Sequence, residues 1–229
     1  MLIYGLQKMT LLDYPGHVAC TVFLGGCDFR CPFCHNFELA DGSASPVMDE
    51  QEFFDFLQKR RGLLDGVAIT GGEPLIHRDI PDFIKKIRGL GFLIKLDTNG
   101  NHPDMLKALL AENLIDYVAM DIKNSPAEYG RTAGLEQFDT KNIEESIHII
   151  MGSGIPYEFR TTVVDEFHDE ESFKAIGKMI SGAGDYYLQE FVDRDTVPNK
   201  NLSGAGSEKM GRYLEIVKKY VPNAKLRGL

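Results

Sequence analysis

The chain reads as an α/β protein, with a parallel sheet curved into a partial (β/α)6 barrel behind a short N-terminal extension. Two patterns point there. Short apolar runs alternate with stretches whose apolar residues recur at three- and four-residue spacing, as strands followed by crossover helices require. Within the runs the polar residues keep to one parity, whereas a flat parallel sheet covered on both faces should be apolar nearly throughout.

The strand runs are Val18–Leu24, Val67–Thr70, Phe92–Thr98, Tyr117–Ile122, Tyr157–Val164 and Tyr186–Val192. Helical stripes lie between them: Phe53, Phe56 and Leu57; Ile80, Phe83, Ile84 and Ile87; Ile143, Ile147 and Ile150; Phe173, Ile176 and Ile180. A last helix uses Met210, Tyr213, Leu214 and Val217. At this spacing the stripes are helix-to-sheet core, joined by right-handed crossovers. No composition shift or Pro/Gly-rich linker cuts the chain, so residues 1–229 are expected to form one domain. Its parts are an N-terminal extension (1–17), the barrel (18–192) and a C-terminal loop and helix (193–229). Two segments, Asn124–Asp139 and Asp193–Ser207, show no clear core pattern. Both follow strands, on the edge where α/β proteins build their sites.

The parity is specific. Lys95, Asp97 and Asn99 share one face of their run while Ile94 and Leu96 take the other. Asp121 and Lys123 oppose Val118, Met120 and Ile122, and Glu158, Arg160 and Thr162 oppose Tyr157 and Phe159. Burying single unpaired charges costs several kcal/mol each, so these side chains either converge on a polar, ligand-holding cavity or tie neighbouring strands together as ion pairs.

With 25 basic and 34 acidic residues the net charge is -9, and no Lys/Arg cluster offers a nucleic-acid groove or a membrane-surface patch. The longest low-polarity run, Val18 to Cys27, falls far short of the ~20 residues a membrane helix needs. The start Met1-Leu2-Ile3-Tyr4 lacks a signal-peptide pattern. A cytoplasmic protein is expected, with no nucleic-acid or membrane partner.

Of the four cysteines, three fall in one window, Cys27-x3-Cys31-x2-Cys34, followed by His35. Thiolates this close cannot all pair as disulfides, but they can surround one metal centre. One candidate is zinc, closed by His35 or Cys20; against it stand the lack of a second cysteine pair and the adjacency of His35 to Cys34. The other is an iron–sulfur cluster with one iron left without a protein ligand, open to a substrate or cofactor. Cys20, inside a strand run, reads as a small buried apolar residue.

These residues resemble the radical S-adenosylmethionine enzymes. Cys27-x3-Cys31-x-Phe33-Cys34 is similar to their signature, and Gly71-Gly72-Glu73-Pro74, directly after the second strand run, is similar to the segment that binds the cofactor's methionine amino group. The resemblance implies a 4Fe-4S cluster on Cys27, Cys31 and Cys34, S-adenosylmethionine beside it, and the radical SAM type of partial barrel. Within the family the chain is most like the activating enzymes of glycyl-radical proteins. Gly5 to Gly16 and Cys31-Pro-Phe-Cys34-His35-Asn36 resemble the activating protein of anaerobic ribonucleoside-triphosphate reductase. Asp97-Thr98-Asn99-Gly100 and Met120-Asp121-Ile122-Lys123 are similar to segments of pyruvate formate-lyase activating enzyme, beside the cofactor's carboxylate and ribose and, in part, a monovalent cation. Phe33, Gly71, Gly72, Glu73, Pro74, Asp97, Asn99 and Asp121 are thereby implied cofactor neighbours, and Lys123 and Arg160 candidates for cofactor or partner contact. A glycyl-radical enzyme partner and a low-potential electron donor such as flavodoxin or ferredoxin follow from the same likeness. Two alternatives compete: a radical SAM enzyme acting on a small molecule, as deazapurine synthases do, and a zinc-binding interaction module.

Overall fold

The computed structural model describes residues 1–228; Leu229, the end of the expected C-terminal segment, lies outside them. The chain forms two compact units that it enters and leaves repeatedly, Met1–Asp28 with Glu38–Thr98 and His102–Val118, and Phe29–Phe37 with Asn99–Asn101 and the residues from Ala119 onward.

In chain order, the first unit brings β1 (Leu2–Ile3), β2 (Gly5–Thr10), β3 (Ala19–Leu24), most of α1 (Phe37–Asp41), β4 (Met48–Asp49), α2 (Glu50–Arg60), β5 (Gly66–Gly71), α3 (Ile80–Gly89), β6 (Leu93–Thr98), α4 (Pro103–Ala111) and the start of β7 (Tyr117–Asp121). β3, β5 and β6 run parallel, with Ala19 opposite Gly66 and Gly66 opposite Leu93. β2 adds an antiparallel edge, and β1 and β4 make a separate two-stranded piece. Helix α2 starts at a capping box in which Asp49 and Glu52 satisfy each other's backbone N–H. Phe53 and Leu57 on α2 and Ile80, Phe83, Ile84 and Ile87 on α3 are buried, and the Phe53 and Phe83 rings stack at 5.6 Å. Each such side chain contributes about 1.5–3 kcal/mol by leaving water. Phe56 departs from its expected place in the core. It is only half-buried, with the Arg60 guanidinium 5.4 Å over its ring.

The second unit holds the end of β7, then α5 (Tyr129–Ala133), α6 (Lys141–Gly152), β8 (Tyr157–Val163), α7 (Glu170–Met179), β9 (Tyr186–Glu190), α8 (Gly206–Val217) and β10 (Lys225–Arg227). β8, β9 and β10 are parallel neighbours. Ile143, Ile147, Ile150, Phe173, Ile176, Ile180, Met210, Tyr213 and Val217 are buried as their spacing requires, while Leu214 stays half-buried.

Within the first unit the strands lie in the order β6-β5-β3-β2, and within the second in the order β10-β9-β8-β7. All six expected strands are present: β3 and β6 start one residue late, β7, β8 and β9 end one or two residues early, and β5 runs one residue beyond its expected bounds at each end. β2 and β10 are additional. β2 is largely solvated and β10 has three residues, so neither carries the apolar run by which a strand is recognised. The segment without a core pattern, 124–139, nevertheless packs: it contains α5, whose Tyr129, Thr132 and Ala133 are buried. Among the described residues, no helix is long and apolar enough to cross a membrane.

Candidate functional site

In the first unit, β5 ends at Gly71 and the chain turns back at once. Gly71 sits at φ +124°, and a Cβ there would lie 2.2 Å from the Leu24 carbonyl oxygen. At Gly72 a Cβ would lie 1.8 Å from the Gly26 oxygen. Glycine is demanded here by the loop leaving β3, which approaches the turn backbone to backbone. Gly72 N–H donates to Leu24 O at 2.9 Å and Glu73 N–H to Gly26 O at 2.8 Å. His77 Nε2 then donates to Gly25 O at 2.9 Å. The stretch carrying Cys27 is therefore built on the Gly-Gly-Glu-Pro turn. Pro74 opens a short 3-10 turn, where its missing N–H costs nothing.

Glu73 is 1% exposed. Its Oε1 accepts from Leu75 N–H at 3.0 Å and from the Thr98 hydroxyl at 2.9 Å, at the end of β6. Beside Thr98, Asp97 is ion-paired with the buried Lys95. Cys27 Sγ lies 3.9 Å from Asp28 Oδ1, and the other Asp28 oxygen takes His102 Nε2 at 3.1 Å. That bond raises the His102 pKa above its ordinary value.

The second unit carries Cys31 and Cys34, and remote segments hold them. Arg30 N–H donates to Ala133 O at 2.9 Å. Gly134, at φ +72°, lets α5 end against this stretch, for a Cβ would lie 2.0 Å from Arg30 O. Asn199 N–H reaches Pro32 O at 3.2 Å, and Cys34 N–H closes a turn on Cys31 O at 3.1 Å. His35 lies parallel to the Phe191 ring at 5.7 Å and meets Val192 O at 2.7 Å through Nε2. Phe33 is buried against Phe167, with the Lys123 ammonium 6.0 Å over its ring. Both segments that lacked a core pattern thus clamp the cysteine loop.

Asp121 gathers the cations. Arg160 Nε donates to one oxygen at 3.0 Å and Lys123 Nζ to the other at 3.0 Å. Burial opposes charge at both Asp121 and Lys123. Arg160 and Lys123 nonetheless outweigh it and hold the carboxyl well below its usual range, while Asp121 holds Lys123 above the ordinary lysine value. Arg160 joins β8 to β7, so the one-parity charges do tie neighbouring strands. Asn99 accepts from Asn101 N–H at 2.9 Å.

Among the described residues, none of the four cysteines is in a disulfide. Burial pushes the Cys31 thiol up to about 11 and raises Cys34, with Lys123 opposing the shift at both. Among the described residues, no three His, Cys, Asp or Glu side chains stand grouped as ready-made metal ligands. A thiol gives up its proton on binding a metal, so metal binding here would be coupled to proton release. Three soft thiol donors on one short loop, without a fourth in that window, fit an iron–sulfur cluster better than a closed zinc shell. Cys20 is fully buried in β3, its thiol pushed up to about 12, and serves packing. His35 is engaged by Val192 and Phe191.

A family model described as the radical SAM superfamily matches residues 21–178. The chain belongs to that superfamily. A protein of Methanocaldococcus jannaschii, provisionally named a glycyl-radical enzyme activating enzyme, is 30% identical over 100% of this chain and 96% of its own length. Pyruvate formate-lyase-activating enzyme of Clostridium pasteurianum is 29% identical over 53% of this chain and 52% of its own. The crystal structure of Streptococcus suis SuiB bound to precursor peptide SuiA superposes with a TM-score of 0.69 over 91% of this chain and 48% of that one; at 14% identity it shows the shared fold. As a radical SAM protein the chain is an enzyme of a class built around a 4Fe-4S cluster and S-adenosylmethionine, on the partial barrel expected of it.

Sequence reading missed the residues that hold the site. Thr98, inside the Asp97–Gly100 segment but not singled out there, lies beneath Glu73; Asn199 behind Pro32 and Arg227, which reaches Glu158 from the chain's end, belong to no motif. Their partners lie 25, 167 and 69 positions away, beyond any local pattern.

Proposed function

We propose that the chain activates a glycyl-radical enzyme, with anaerobic ribonucleoside-triphosphate reductase as the partner. The observation that carries the activase reading is the similarity to the M. jannaschii protein over 100% of this chain, and the choice of partner is supported by Gly5–Gly16 and Cys31–Asn36, which resemble the reductase's activating protein. Cys27, Cys31 and Cys34 give up their protons to hold the cluster. A cluster held there would supply the electron for reductive cleavage of S-adenosylmethionine, the chemistry that would take a hydrogen atom from a partner glycine. Glu73, fixed by Leu75 and Thr98, receives the methionine amino group within the turn Gly71–Pro74. Asp97, Asn99 and Asp121 face the carboxylate, the ribose and a monovalent cation, and Phe33 backs the cysteines. Lys123 and Arg160, pinned by Asp121, offer positive charge to cofactor or partner. A low-potential flavodoxin or ferredoxin provides electrons in the cytoplasm.

The test deuterates the partner's glycines at the α carbon. Deuterium should enter 5′-deoxyadenosine while a doublet glycyl signal appears in the partner's electron paramagnetic resonance spectrum. Turnover of a small purine or pterin without label transfer overturns this reading. Anoxic reconstitution should load about four irons and four sulfides per chain, and Cys31→Ala should abolish it.

A further inference from the structure

At the end of the chain, Arg227 on β10 forks onto Glu158 on β8, Nη1 to Oε1 at 2.7 Å and Nη2 to Oε2 at 2.7 Å. Its guanidinium stacks 3.6 Å over the Tyr187 ring of β9. The Glu158 side chain is 2% exposed, and a carboxylate so placed must have a cation. A second one stands close by. Arg160 Nη1 lies 4.0 Å from Glu158 Oε1, outside hydrogen-bond range, while its Nε is bound to Asp121. The row Arg227, Glu158, Arg160, Asp121, Lys123 thus alternates in charge.

We infer that Arg227 is a positioning residue: by satisfying both Glu158 oxygens it leaves the Arg160 guanidinium on Asp121. Without Arg227, Glu158 becomes a buried carboxylate whose nearest remaining cation on this row is Arg160. A small rotation of that side chain forms the new pair and breaks the old one. The bidentate fork matters because it places a full positive charge against both oxygens of the buried carboxylate and fixes its plane. The importance of this for the reaction rests on the assignment of Arg160 to the cofactor or partner site made above.

Two variants separate positioning from simple anchoring of β10. Arg227→Gln leaves Glu158 charged, whereas Glu158→Gln/Arg227→Gln removes the competing carboxylate but still lacks the anchor. In metal-free full-length protein labelled with 15N-arginine, the Arg160 Nε–H resonance, identified by its loss in Arg160→Ala, should be protected from exchange. Arg227→Gln should abolish that protection, and the double variant should restore it although its melting temperature stays below the native value. In anoxically reconstituted protein, calorimetry should show S-adenosylmethionine binding weakened roughly tenfold by Arg227→Gln and recovered in the double variant. If the double variant behaves like Arg227→Gln, Arg227 is an anchor and the inference is overturned. If the resonance follows the expected order but Arg160→Ala binds the cofactor normally, the failure belongs to the assignment of Arg160 and not to its coupling with Arg227.

Discussion

The Gly71–Pro74 turn and the Cys31–His35 stretch are both short loops after strands, yet they are held in opposite ways. The turn is held from beneath, by the end of β3 and the residues just after it, so closely that two side chains must be absent. The stretch from Cys31 to His35 is held from outside, by Asn199, Phe191 and Val192, with ordinary hydrogen bonds and ring contacts, and the close backbone contact of Gly134 falls just before it, on Arg30. A backbone-on-backbone contact has no slack, whereas a set of peripheral contacts can lose a member and persist. Chemistry agrees with this division. The turn presents one carboxylate in one place, and the stretch carries thiols that lose their protons on binding a metal.

Gly72→Ala tests the first half most severely. With Gly26 O at 1.8 Å from the added carbon, the loop after β3 must move, and unfolding in denaturant should show a loss above about 4 kcal/mol. A loss under about 1 kcal/mol would mean that the turn is not close-packed.

Glu73→Gln is next. Because Glu73 is bound inside the metal-free protein, the change should destabilise it by roughly 1–2 kcal/mol before any cofactor is added, and Thr98→Val by about 1 kcal/mol. Stability indifferent to both, with cofactor binding lost in Glu73→Gln alone, would make Glu73 purely a ligand.

Asp121→Asn should cost about 1–2 kcal/mol at neutral pH, a modest figure because the side chain is 34% exposed and water screens its pairs. Its folded-state pKa is depressed, so the stabilisation is present above the unfolded value near 4 and disappears as pH falls towards the folded value. The gap between native and variant, measured by denaturant unfolding, should therefore narrow below about pH 4. A gap that widens on acidification would show that Asp121 does not carry the charge assigned to it.

His35→Ala should have the smallest effect, about 1 kcal/mol or less, from one hydrogen bond and one stacked ring. Iron content after reconstitution should match the native protein. Loss of iron in this variant would make His35 a ligand and break the contrast between the two loops.

The six barrel strands, the buried faces of α3, α6 and α7, the cysteine window and the Gly-Gly-Glu-Pro turn were all legible in the sequence. Each is a local pattern: side-chain periodicity follows backbone geometry, and the motif residues stand side by side. Lys95, Asp97, Asp121 and Arg160 were legible by parity as same-face residues of their strands, but not their pairing: Asp121 takes Arg160 and Lys123 together, and Glu158 takes Arg227 with Arg160 4.0 Å away. β2, β10 and the packing of 124–139 were not legible, because a solvated edge strand and a three-residue strand lack an apolar run. What only the tertiary structure decided is which remote residues hold the site. Asn199 reaches Pro32, Thr98 reaches Glu73 and Arg227 reaches Glu158 through contacts that arise when the sheet has formed. The energy of such contacts depends on burial and approach, which no spacing along the chain encodes.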